Sequence, residues 1–211
     1  MFYFFEQFGV SVAAITGVLA ARGKPVDLFG VIVLALVTSF GGGTIRDVCL
    51  GDFPVVWIRD PNYLLNAVAV GFATFFIIRH HEIPRTVLLV ADAFVLALYT
   101  IVGAQKAIDF NVAGSIAVTM GVITGVAGGI FRDLLTGEIP MVFRKEIYIY
   151  ATASFFGALI FVPMVYSGIE HQLCIYVGTL VTLILRLVGI RWKITLPVIK
   201  AKESEPVDLD G

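Results

Sequence analysis

The stretch Gly42-Gly43-Thr44-Ile45-Arg46-Asp47, followed by Gly51 and Pro54, returns as Gly128-Gly129-Ile130-Phe131-Arg132-Asp133, followed by Gly137 and Pro140. The offset is a constant 86 residues, and it holds without gaps on both sides of the motif. Glu6 meets Asp92, Phe8 meets Phe94, Gly17 meets Gly103 and Thr38 meets Thr124. Downstream, Arg59-Asp60 meets Lys145-Glu146 and Gly71 meets Gly157. A single glycine pair recurs by chance. A thirteen-residue G-G-x-x-R-D-x-x-x-G-x-x-P pattern with aligned flanks marks a duplicated unit.

The solvent for that unit follows from composition. Of the 211 residues, 58% are hydrophobic and 15% charged, and the mean hydropathy is +0.93. Soluble domains carry about 25% charged residues. This chain has too little polar surface to cover an aqueous core, so lipid takes that place. A net charge of −1 argues against a nucleic-acid partner. Cys49 and Cys174 form neither a disulfide framework nor a zinc pattern. The first apolar stretch has no Lys or Arg before it and carries Glu6, unlike a cleaved signal. It reads as a retained helix.

A spanning helix needs roughly 20 mostly apolar residues. That ruler predicts seven segments, an all-α integral membrane fold. Segment 1 runs over Phe2–Ala21, segment 2 from Asp27 to at least Ile45, and segment 3 over Pro61–Ile78. Segment 4 runs over Pro84–Gln105, segment 5 from Asn111 to at least Phe131, segment 6 over Glu146–Tyr166 and segment 7 over His171–Gly189. The duplication therefore divides the chain into a first repeat, 2–81, a second, 84–168, a lone segment, 171–190, and a polar tail, 191–211. The tail ends in an acidic stretch from Glu203 to Asp210 and reads as disordered.

A unit with an odd number of spans leaves its copy entering the membrane from the opposite face. The two repeats are then inverted, related by a pseudo-two-fold axis in the membrane plane, as in transporters with midplane sites. The short connections set the orientation. Arg46, Arg59 and Lys106 lie on the side of the N-terminus. Arg22, Lys24, Arg79, Arg85, Arg132, Arg144, Lys145, Arg191, Lys193, Lys200 and Lys202 lie on the other. The second side is cytoplasmic by the positive-inside rule, with the N-terminus outside.

Glycine weakens a helix by about 1 kcal/mol relative to alanine. Gly41, Gly42 and Gly43 in segment 2, and Gly128 and Gly129 in segment 5, mark kinks that free backbone carbonyls to face a cation. The alternative reading is close helix packing by small residues. Arg46-Asp47 and Arg132-Asp133 follow. They are interface anchors if segments 2 and 5 end near Ile45 and Phe131. They sit inside the membrane, facing a wet cavity or a partner, if those segments continue toward Pro54 and Pro140. Thr38, Ser39 and Thr124 share the glycine face and either line a pore or bond back to their own helix. Glu6 and Asp92 read as favourable charges at helix starts, or else as charges at a pore mouth. Arg186 reads as a snorkelling side chain near a cytoplasmic end. His80, His81 and His171 have no metal-ligand spacing, and no nucleophile–base set, Walker loop or dinucleotide fingerprint appears. An enzyme, a metal and a cofactor are not expected.

With its duplicated three-helix unit, paired G-G-x-x-R-D-x-x-x-G motifs and seventh helix, the chain resembles the prokaryotic TRIC family, relatives of the trimeric intracellular cation channels. The resemblance covers Phe2 to Gly189. Related bacterial sequences also carry a glycine-transporter label. The resemblance implies a homotrimer in the prokaryotic plasma (inner) membrane, with one water-filled pore per subunit, permeable to potassium and sodium. It implies kinks at Gly41, Gly42, Gly43, Gly128 and Gly129 around that pore, and contact with membrane lipid. Ala127 replaces the first glycine of the second run, which implies a milder kink there. The Lys-containing lipid motif of animal members is replaced by Gly128-Gly129-Ile130-Phe131-Arg132, so phosphoinositide binding does not carry over. A carrier for a small zwitterion such as glycine stays open beside the channel, because two buried arginines suit a carboxylate.

Overall fold

The computed structural model describes residues 2–80, 83–144 and 149–194. Its elements are α1 (Phe2–Ala20), α2 (Leu28–Leu50), α3 (Val56–Arg59), α4 (Pro61–His80), α5 (Arg85–Asp109), α6 (Gly114–Leu135), a 3-10 turn at Met141–Phe143, α7 (Ala151–Tyr166) and α8 (His171–Trp192). Among the described residues there is no strand. Helices α1, α2, α4, α5, α6 and α8 are each long and apolar enough to cross a membrane. Segments 3 to 7 of the sequence correspond to α4 to α8.

Several boundaries move. The expected start of segment 6 at Glu146 lies outside the described residues. The helix described there, α7, has 16 residues, a rise of about 24 Å against a hydrocarbon core of about 30 Å. Segment 4 continues past Gln105 to Asp109, and segment 7 past Gly189 to Trp192. Segment 5 starts at Gly114 instead of Asn111, which takes φ 55° in the preceding turn. Segments 2 and 5 pass Ile45 and Phe131 and end at Leu50 and Leu135, so Arg46 and Arg132 lie within helices. The acidic part of the tail falls outside the described residues.

The ends have local causes. Asp27 caps α2 by accepting the Gly30 N–H at 2.8 Å, which satisfies one of the free donors of the first turn. Gly51 and Gly137 stop the chain after α2 and α6 with φ near 70°. The following N–H groups, of Asp52 and Glu138, return to the carbonyls of Asp47 and Asp133, each at 2.9 Å. This is a left-handed C-terminal cap, which favours glycine.

Each half packs its own core. Val10, Ala14 and Val18 of α1 meet Val31, Leu34 and Ala35 of α2 and Ala67 of α4. Ile101 and Ala104 of α5 meet Ala117 of α6, Ala158 and Phe161 of α7, and Cys174 of α8. Small residues let these helices approach where lipid supplies no hydrophobic drive. A Cβ on Gly17 would lie 2.6 Å from the Leu34 carbonyl, and one on Gly103 would lie 2.4 Å from Thr124 Oγ1. The outer faces present large apolar side chains, Phe4, Phe29, Leu65, Phe72 and Leu180 among them, as a lipid-facing surface requires.

Polar contacts cluster at two ends. At one, Arg22 donates to the Ile83 carbonyl, Lys24 donates to the Thr136 carbonyl, and Lys24 pairs with Glu138 at 2.8 Å. The end of α1, the start of α5 and the end of α6 thus meet. At the other, Lys106 near the end of α5 pairs with Asp47 at 2.8 Å and Asp52 at 2.5 Å. Tyr3 at the start of α1 donates to Asp60 at 2.9 Å.

Candidate functional site: the crossing of α2 and α6

Helices α2 and α6 cross at their glycines. A Cβ on Gly42 would lie 2.1 Å from the Thr124 carbonyl oxygen, and one on Gly128 would lie 2.4 Å from the Thr38 carbonyl oxygen. The contact is reciprocal, since Thr38 and Gly42 match Thr124 and Gly128 at the 86-residue offset. Only residues without a Cβ permit backbones this close. Both helices run as α-helix through their glycine runs without interruption. At Gly42 and Gly128 the observed feature is close packing. Gly41 faces the Phe131 ring, with 2.6 Å between a built Cβ and the ring edge. Gly43 and Gly129 differ. The space beside Gly43 holds only the Arg46 guanidinium, 3.7 Å from a Cβ, and beside Gly129 lie the Tyr150 hydroxyl, Arg132 and Asp92.

The hydroxyls bond locally. Thr38 and Thr124 donate to the carbonyls of Leu34 and Met120, each at 2.6 Å, and Thr124 also lines the cavity described below. Ser39 reaches across to the Val10 carbonyl at 3.2 Å.

The charged pair in each repeat is buried. Arg46 is 2% exposed and Asp47 0%. Arg46 donates through Nε and Nη2 to Asp47 Oδ1 at 2.9 and 2.7 Å. Asp47 Oδ2 accepts the Val56 N–H at 3.0 Å, tying the start of α3 to the end of α2. In the second repeat Arg132 Nε donates to Asp133 Oδ1 at 2.9 Å, and Asp133 Oδ2 accepts the Met141 N–H at 2.8 Å. The motif thus has parts with distinct tasks. The arginine points inward, the aspartate holds both the arginine and the returning loop, and the glycine turns the chain.

The two repeats then diverge. Arg132 also donates to Asp92 Oδ1 at 2.7 Å, and the Tyr150 hydroxyl lies 3.5 Å from the same oxygen. Arg186 stacks over the Tyr150 ring, 4.8 Å from its centroid, a cation–π contact. Arg186 is fully buried and does not snorkel, because Tyr150 and the acid-rich interior hold it. Asp92 is no helix-start charge either: it lies two turns into α5 and is 2% exposed. In the first repeat the matched acid, Glu6, accepts instead from Tyr63 at 2.7 Å. Lys106 supplies a second cation to Asp47. It also holds the Asp52 carboxyl below the usual carboxylate range, with Arg59 adding to the effect.

A cavity of about 30 Å³, the size of one water, sits at this crossing. Its lining is mostly apolar, with Val10, Phe40, Val56 and Val102, and Glu6, Ser39, Gly43, Arg46, Tyr63, Tyr99 and Thr124 complete it. A wider, open vestibule of about 600 Å³ lies at the end where α1 stops, lined by Arg22, Lys24, Glu138 and Arg144 among others, with Asp133 at its inner wall. The structure therefore brings Ser39, Gly43, Arg46 and Thr124 to one cavity. Asp47 lies behind Arg46. Arg132 and Asp133 form the separate cluster near the vestibule, and Thr38, Gly41, Gly42 and Gly128 serve the helix crossing. Sequence reading missed the tyrosines and Lys106, and it misplaced Asp92 and Arg186, which are buried inside α5 and α8. The 86-residue match of Glu6 with Asp92 was the available signal, since matched acids inside apolar helices are rarely placed without partners.

Comparison with known proteins places this geometry. The family model described as "Glycine transporter" matches residues 3–79 and 89–166. The inner membrane protein YadS of Escherichia coli strain K12 is 42% identical over 204 residues, 96% of this chain and 98% of that one. The TRIC trimeric intracellular cation channel orthologue from Rhodobacter sphaeroides superposes with a TM-score of 0.87 at 37% identity, over 92% of this chain and 98% of that chain. A structure determined for the basis of conductance through TRIC cation channels gives 0.87 at 31% identity, covering 97% and 100%. An integral membrane protein with this helix arrangement, this repeated motif and these relatives belongs to the TRIC family.

Proposed function

We propose that the chain conducts monovalent cations, potassium and also sodium, through one pathway in each subunit of a homotrimer. The observation that carries this reading is the cavity at the α2–α6 crossing, where a carboxylate, two hydroxyls, two tyrosines and an internally paired arginine meet, in a fold shared with TRIC cation channels. The tension posed by buried arginines is reduced by their pairing. Arg46 is engaged by Asp47, and Arg132 by both Asp92 and Asp133. A zwitterion's carboxylate would have to displace these bonds, which favours a channel over a glycine carrier, the reading suggested by the family model's description.

The two repeats are inverted in this proposal, with the N-terminus outside and the C-terminus in the cytoplasm. The reciprocal Gly42–Thr124 and Gly128–Thr38 contacts support it, because a two-fold axis exchanges such pairs. So does the exchange of lysines. Lys24, after the first helix of repeat one, pairs with Glu138 of repeat two, and Lys106, on the first helix of repeat two, pairs with the matching Asp52 of repeat one. Gly43 and Gly129, which lie against the arginine side chains rather than against a neighbouring backbone, are the points where α2 and α6 bend on opening.

Recording from purified protein in planar bilayers under asymmetric potassium chloride tests the reading. A reversal potential near the potassium Nernst value is expected, with loss of current in the Gly43→Leu, Gly129→Leu double variant. Saturable glycine uptake into liposomes without unitary currents would overturn it.

A further inference from the structure

The two repeats carry a matched acid and a matched arginine in different pairings, each with a tyrosine near the acid, Tyr63 and Tyr150, that the 86-residue offset does not align. In repeat two the first-helix acid, Asp92, and the motif arginine, Arg132, are joined at 2.7 Å. A Cβ built on Gly129 would lie 3.6 Å from each of them, so both groups converge on that glycine. The tyrosine hydroxyl is then at the limit of bonding, 3.5 Å from the acid. In repeat one, a Cβ built on the matched Gly43 would meet Arg46 at 3.7 Å and, among the described residues, no acid within 4 Å. Its acid, Glu6, is held by Tyr63 at 2.7 Å. Glu6 and Arg46 nevertheless line one water-sized cavity together, with Tyr63 beside them. In proteins built of inverted repeats, one repeat gates against the other around a site between them, and the pairing of Arg132 with Asp92 shows a contact that the matched residues Arg46 and Glu6 can also make.

The geometry points to Glu6 as a conductance-determining residue: Arg46 exchanges between Asp47 and Glu6 across this cavity, and cations pass only while Asp47 holds it. This rests on the channel reading. With Arg46 on Asp47, the charge of Glu6 beside the cavity raises the local cation concentration. Even at the dielectric constant of water, a unit charge about 5 Å away changes that concentration by about fourfold. With Arg46 on Glu6, as Arg132 is on Asp92, the carboxylate is neutralised and a guanidinium bridges the passage. The Tyr63 hydroxyl competes with Arg46 for Glu6 and so favours the conducting arrangement.

Two conservative variants push the exchange in opposite directions. Glu6→Gln removes both the cavity charge and the second partner for Arg46. It should lower unitary potassium conductance by about fourfold while raising open probability, and Glu6→Asp should restore the conductance. Tyr63→Phe keeps the ring and removes the competing hydroxyl. It should leave unitary conductance near wild type and shift the closed-to-open ratio upward by about tenfold, the worth of a hydrogen bond to a charged group. Unchanged conductance in Glu6→Gln, or open probabilities that move the same way in both variants, would overturn the exchange. Should Glu6→Gln fail to assemble, the open probability of Tyr63→Phe decides alone. A wild-type protein that passes no current removes the channel reading and this inference together. A conducting wild type with insensitive variants removes this inference only.

Discussion

Replacing Gly42 by alanine should weaken the protein, while the same change at the next residue, Gly43, should not. A Cβ at position 42 would lie 2.1 Å from the Thr124 carbonyl oxygen and 3.0 Å from its carbon. Ordinary contact begins at about 3.4 Å, so α2 and α6 must part by about 1.3 Å. The obstacle is backbone, which cannot rotate away, and dense packing resists the shift. Overpacking of this kind costs about 1–3 kcal/mol, and the alanine's better helix propensity returns about 1 kcal/mol. At position 43 the Cβ meets only Arg46 Nη2, at 3.7 Å, so the propensity gain of about 1 kcal/mol stands almost unopposed. The two variants should therefore differ by about 1–3 kcal/mol. For a chain of this size each kcal/mol moves Tm by roughly 2–4 °C. Thermal unfolding in detergent, read by the loss of the folded size-exclusion peak, should place Gly42→Ala several degrees below Gly43→Ala. Gly128→Ala, whose Cβ would lie 2.4 Å from the Thr38 carbonyl oxygen, should behave like Gly42→Ala. Equal Tm values at positions 42 and 43 would refute the argument that backbone contact at this crossing explains the glycine.

Three further outcomes are expected. Asp92→Asn strips a buried partner from Arg132 and should destabilise by about 3–5 kcal/mol, read in the same Tm assay. Asp52 is held below the usual carboxylate range by Lys106 and Arg59, so its contribution is fully present above the unfolded value of about 3.9 and fades as pH falls through the lowered folded value. Asp52→Asn should flatten that acid-side decline in a Tm-against-pH series. In a background without Cys49 and Cys174, single cysteines at 52 and 138 should label from opposite faces of sealed vesicles; labelling from the same face would sink the inverted arrangement.

Much of the fold was legible because lipid imposes simple rules. Apolar length predicts a spanning helix whatever its neighbours, and α1, α2, α4, α5 and α8 fall close to the expected segments. Gly51 and Gly137 were visible as matched motif positions, but their task as left-handed caps emerges only from the backbone. What failed was partner choice. Arg186 looked like a snorkelling cation because its place along α8 suits one. Its place around α8, against Tyr150, emerges only when α7 and α8 pack. Glu6 and Asp92 were matched by the repeat, yet their tasks differ, because Lys106 adds a second cation to Asp47 in one half and Arg186 joins the other.

The amino-acid order alone determined that this is a duplicated bundle of membrane helices with a repeated Arg-Asp pair after a glycine run, since periodicity, apolar length and a constant offset are properties of the chain. Only packing decided that Gly42 and Gly128 serve a crossing of α2 over α6, that Thr38 and Thr124 bond to their own helices, and that Glu6 shares a cavity with Arg46. Which side chains meet across helices depends on how those helices are rotated and set against each other. That arrangement is the joint result of many contacts distant in sequence, and no local pattern carries it.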